Sequence, residues 1–142
     1  MGRNILAVVA GLFAGVIGIF LIEGVGHAVY PPPAGMDFNN PEQLREMMAN
    51  MPVGALLMVA VAWAMGSFAG GVVAALIAMK SKITMSLIVG GLLMVAGIAN
   101  MLMIPHPAWF WIVGLAVYLP FAYLGGKIAS KLAVQAPPSI GT

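Results

Sequence analysis

Four apolar stretches dominate this chain, each at least as long as the roughly 20 residues a helix needs to cross a bilayer, and only three charged residues, Glu23, Lys127 and Lys131, fall within them. They run from about Asn4 to Tyr30, Pro52 to Met79, Ile83 to Ile104 and Ala108 to Ala133. Six Lys and Arg and four Asp and Glu are spread over 142 residues, and the mean hydropathy is +1.05. A soluble domain carries about 25% charged residues, so most of this surface must face lipid or other protein. The fold class that follows is an all-α integral membrane protein. It is a four-transmembrane-helix bundle forming one domain over residues 1–134, with a flexible cytoplasmic tail expected at 135–142.

The breaks between spans have local causes. Pro31, Pro32 and Pro33 cannot continue a helix in series, Pro52 suits a first helical turn, Lys80-Ser81-Lys82 forms a polar turn, and Pro105-His106-Pro107 separates the last two spans. The first apolar run is too long for a signal peptide, lacks a small-residue cleavage site and contains Glu23, so it reads as a membrane span. Lys and Arg mark cytoplasmic loops. Arg3, Lys80, Lys82, Lys127 and Lys131 fall on one side of a four-span layout and only Arg45 on the other. Both termini are therefore expected in the cytoplasm, and the natural location is a bacterial inner membrane. Trp109 and Trp111 open the fourth span at the outer interface, where aromatic belts form.

The connection 31–51 then lies outside, with Asp37, Glu42 and Glu46. Within it, Asn40-Pro41-Glu42-Gln43 has the pattern of an N-cap, a first-turn proline and a capping-box partner. A short helix over 41–51 is predicted, with Leu44, Met47, Met48 and Met51 on one stripe, lying on the membrane surface or over the end of the bundle.

The chain also repeats itself weakly. Trp63 to Gly71 aligns with Tyr118 to Gly126, matching aromatics and Gly-Gly pairs, which suggests two helical hairpins related by a parallel repeat. Small residues recur where helices in lipid need close backbone approach: Gly11 and Gly15 in the first span, Gly66, Gly70 and Ala74 in the second, Gly125 and Ala129 in the fourth. These faces serve either packing within the bundle or contact with another subunit.

Glu23 is the single acid inside a span, and a carboxylate in hydrocarbon needs a partner. His27 shares its face at i+4 and Tyr30 at i+7, which puts Glu23 roughly 10 Å below the end of its helix. Asn100 and His106 are expected at similar height, with Arg45 within reach as a counter-charge. Three readings compete for this cluster: a proton or cation step in a small transporter, a metal site built weakly from Glu23, His27 and His106, or a structural network closing the outer end. Trp63 and Tyr118, with a kink at Pro120, mark either core or a cavity.

Other chemistry is excluded or unsupported. Without Cys there is no disulfide or thiolate site. The basic residues are too dispersed for nucleic acid, and the twelve methionines read as packing residues rather than a copper site. No hydrolase, phosphate-loop or metalloprotease motif is present, and no cofactor is named by any pattern. The expected partners are the lipid bilayer and either further copies of the chain or another membrane protein. The functional expectation is an oligomeric transport or permeation protein centred on Glu23 and His27, with an accessory subunit of a larger membrane complex as the alternative.

Overall fold

The computed structural model describes residues 2–135, and their regular structure is six helices: α1 (Gly2–Val29), α2 (Pro41–Asn50), α3 (Val53–Ile77), α4 (Lys82–Met103), α5 (Ala108–Ala116) and α6 (Tyr118–Gln135). Of the expected tail, only Gln135 falls inside these residues, as the last residue of α6. Four helical segments are long and apolar enough to span a membrane: α1, α3, α4, and α5 with α6 as far as Leu132. The chain is thus a four-span helical bundle of membrane composition. The basic residues Arg3, Lys80, Lys82, Lys127 and Lys131 gather at the end holding the α3–α4 turn, and α2 with Asp37, Glu42 and Glu46 lies at the opposite end.

Packing is unequal. Helix α3 touches α1, α4 and α6, whereas α1 and α6 make no contact with each other. Close approach follows the predicted small residues. A Cβ on Gly11 would lie 2.8 Å from the Gly70 carbonyl, and one on Gly70 would lie 2.7 Å from the Gly11 carbonyl. Gly15 and Gly66 repeat this reciprocal contact one turn away. On the other side of α3, a Cβ on Gly71 would strike the backbone of Ala122, and one on Gly125 the backbone of Phe68. Ala74 and Ala129 are fully buried. These stripes are therefore used within the chain, where dispersion contacts between backbones replace the absent hydrophobic drive.

The fourth span is interrupted between α5 and α6 at Val117, earlier than the proline expected to kink it. The cause is still Pro120: its missing N–H leaves the Ala116 carbonyl without its i+4 partner, and regular hydrogen bonding resumes with Phe121 N–H donating to Val117 O at 3.2 Å. At the basic end, Ser81 takes the left-handed conformation (φ 55°) to turn the chain from α3 into α4. Arg3 Nε donates to Ile77 O at 2.8 Å, closing an unsatisfied carbonyl at the end of α3.

Helix α2 forms where its sequence signature places it. The Asn40 side chain accepts from the N–H groups of Glu42 (3.0 Å) and Gln43 (3.3 Å). The capping box differs in one respect: Gln43 Oε1 accepts from Asp37 N–H at 2.8 Å, because Asn40 N–H is already donated to Asp37 O at 3.1 Å. Met48 enters the core, and Met47 and Met51 pack against it. No other helix comes within 8 Å of α2, Cα to Cα, so α2 is seated over the bundle through long thioether side chains.

Candidate functional site

The intramembrane carboxylate finds its partner across the bundle. Trp63 Nε1, near the middle of α3, donates to Glu23 Oε1 at 3.3 Å. Glu23 is half-buried and lies within electrostatic range of His27 and Tyr118. Arg45 is exposed on α2, and the hydrogen bond that holds Glu23 comes from a neutral indole.

Trp63 is the hub of an aromatic cluster. Its ring stacks on Tyr118 (centroids 5.4 Å apart, planes at 28°) and meets Phe110 edge-on at 5.4 Å. His106 also stacks on Phe110, at 5.0 Å, and stands 6.5 Å from Trp63. Offset and edge-to-face pairs of this kind are favourable beyond the area they bury. Trp63, Tyr118 and Phe110 are at most 4% exposed, so the residues singled out as a cavity fill the interior instead. Pro120 faces outward. The Tyr118 hydroxyl lies directly against Gly97 of α4, where any side chain would collide with it.

His106 Nδ1 and the Ile104 carbonyl are 2.7 Å apart. Since a carbonyl only accepts, Nδ1 carries the proton, and Nε2 is the free acceptor of the neutral ring. Burial pushes the pKa of His106 below the ordinary histidine range, only partly opposed by this hydrogen bond.

The predicted cluster is therefore divided. Glu23, Trp63, Tyr118 and His106 belong to one contiguous group. His27 and Tyr30 instead line a cleft of about 790 Å³ between the end of α1, the 31–38 segment and α2. Tyr30 also packs on the start of α3, where a Cβ on Gly54 would lie 2.5 Å from its hydroxyl. Asn100 is exposed and forms no side-chain hydrogen bond among the described residues. The weak metal set of Glu23, His27 and His106 is not assembled, because among the described residues no three His, Asp or Glu side chains come close enough to hold an ion. Phe110 escapes the sequence reading because it carries no polar signal. Trp63 is singled out by sequence as core or cavity but not as the donor to Glu23, since height along the spans alone does not separate it from Trp111.

Comparison with known proteins finds no matching family model, no matching curated protein and no matching solved structure.

Proposed function

We propose that the protein is a small transport protein of a bacterial inner membrane, with both termini cytoplasmic, that carries a proton or cation through Glu23 in an assembly of its own copies. One observation carries this reading: the carboxylate inside the span is held by the indole N–H of Trp63 rather than by a cation. A neutral donor holds the carboxylate without an ion pair, and an intramembrane acid in that condition attracts a proton or cation. His27, one turn nearer the helix end, stands in the wall of the cleft and provides a polar step between cleft and carboxylate. Trp63 and Tyr118 close the way beyond it, so passage requires their rings to move.

The test is cation- or pH-gradient-driven flux in proteoliposomes. Wild-type protein is expected to conduct, and Glu23→Gln to lose the flux while inserting and assembling normally. Equal flux from both proteins would overturn the proposal.

The filled aromatic interior favours a second reading, an accessory subunit of a larger membrane complex. That reading predicts stoichiometric co-purification with another membrane protein and no flux from the isolated chain.

A further inference from the structure

The cleft at the α2 end has a chemistry of its own. Its volume, about 790 Å³, lies within the roughly 300–1,000 Å³ typical of small-molecule sites. Glu46 is the one carboxylate in its wall, and neither Lys nor Arg lines it.

The amides around Glu46 are already partly engaged, and what they leave free is informative. Asn50 Nδ2 donates to the Glu46 carbonyl at 2.9 Å, so the Asn50 Oδ1 remains an open acceptor one helical turn from the Glu46 carboxylate. Gln43 Oε1 is taken by Asp37 N–H. The open acceptors on this face of α2 are thus a carboxylate and an amide oxygen, a set that receives hydrogen-bond donors carrying positive charge. Around them the wall is apolar and aromatic: Met36, Phe38, Met51 and the ring of Tyr30. Phe38 is 59% exposed although it is a large apolar side chain, and an aromatic face beside a carboxylate suits a cation that also has apolar bulk.

We propose that this cleft binds an ammonium group joined to an apolar body, with the Glu46 carboxylate and Asn50 Oδ1 receiving the cation and Phe38 and Met36 covering the apolar part. Phosphates and carboxylates are disfavoured by Glu46 and meet neither Lys nor Arg in the wall, where His27 is the one basic side chain. A divalent metal lacks the ligands, since no three His, Asp or Glu side chains gather among the described residues. The inference goes beyond the transport reading and stands whether or not Glu23 conducts.

The experiment is calorimetric titration of the protein in maltoside micelles, which contain no ammonium group, with 2-phenylethylammonium and with its anionic counterpart 3-phenylpropanoate. Saturable binding of the amine is expected, weakened at least about tenfold by Glu46→Gln, with no binding of the anion. Glu46 is exposed, so this variant should keep its helical circular dichroism, and Glu46→Asp should retain part of the affinity. Equal binding to wild type and Glu46→Gln, or equal binding of the anion, would overturn the proposal. Adding phosphatidylethanolamine to the micelles separates the two natural sources of the group. Competition with the probe assigns the site to a lipid headgroup, and unchanged affinity assigns it to a soluble amine. Amine binding without proteoliposome flux would refute the Glu23 reading and leave this one intact.

Discussion

The two halves of the bundle are held together in opposite ways. Toward the basic end, α1 and α6 meet α3 backbone to backbone at Gly11, Gly70, Gly71 and Gly125, and serine hydroxyls there donate to backbone carbonyls, although the buried Ser67 Oγ has no hydrogen-bond partner among the described residues. Ser86 Oγ donates to Gly71 O at 2.7 Å and Ser130 Oγ to Gly126 O at 2.7 Å. Toward the α2 end, the helices are spaced by Trp63, Tyr118 and Phe110, and the hydrogen bond between Glu23 and Trp63 joins two spans through their side chains. Contact by small residues leaves no volume for anything to enter. Contact through rings leaves polar edges that can exchange partners, and the intramembrane carboxylate sits in that half.

The contrast can be broken most severely in the aromatic half. Trp63→Ala removes the hub of the ring cluster and the donor to Glu23 together, and should cost about 3–5 kcal/mol of stability, measured by denaturant unfolding in mixed micelles. Trp63→Phe keeps most of the ring volume and should cost about 1 kcal/mol, the usual size of an interhelical hydrogen bond in a membrane protein. In the small-residue half, Gly71→Ala or Gly125→Ala should cost about 1–3 kcal/mol, because the added Cβ meets backbone that cannot rotate away. If these glycine changes are neutral, the close α3–α6 crossing is wrong.

Smaller effects sharpen the comparison at the α2 end. Asn40→Ala should cost about 1 kcal/mol in α2 alone, visible as faster amide exchange at Glu42 and Gln43 with the spans unaffected. His106 gives a pH dependence whose sign is fixed by burial. Its folded-state pKa is depressed, so the unfolded chain takes up the proton more readily. The folded state should therefore lose stability as pH falls through about 6.5, the ordinary histidine value, until the lower folded pKa is passed, and His106 should contribute no slope above that window. Subtracting the curve for His106→Gln isolates this contribution, and parallel curves for the two proteins would show that His106 is not held neutral by its surroundings. The smallest effect belongs to Gly91→Ala, where an added Cβ meets nothing within 4 Å. It should be neutral or slightly stabilising.

Much of the fold was legible because lipid leaves a chain few choices. Span lengths, proline boundaries, charge segregation and the α2 signature depend on local sequence, and the helices begin and end within a few residues of the expected positions. The site was less legible because it depends on register between spans. His27 and Tyr30 were natural partners for Glu23 by i+4 and i+7 spacing, yet His27 and Tyr30 turn to the cleft, and the donor comes from α3, forty positions along the chain. Asn100 illustrates the same limit: its height along α4 was readable, but the face it presents was set by how Gly90 and Gly97 lock α4 against Tyr118 and Ala122 of α6.

The central claim, that Glu23 is held by the Trp63 indole and by no cation, can be tested directly by ¹⁵N NMR of the indole N–H groups. The chain has three tryptophans, and resonances are assigned by single Trp→Phe changes. Glu23→Gln should move the Trp63 indole proton upfield, as a charged acceptor is replaced by a neutral one, and leave Trp109 and Trp111 in place. An unchanged Trp63 resonance, or an equal shift in all three indoles, would contradict the account.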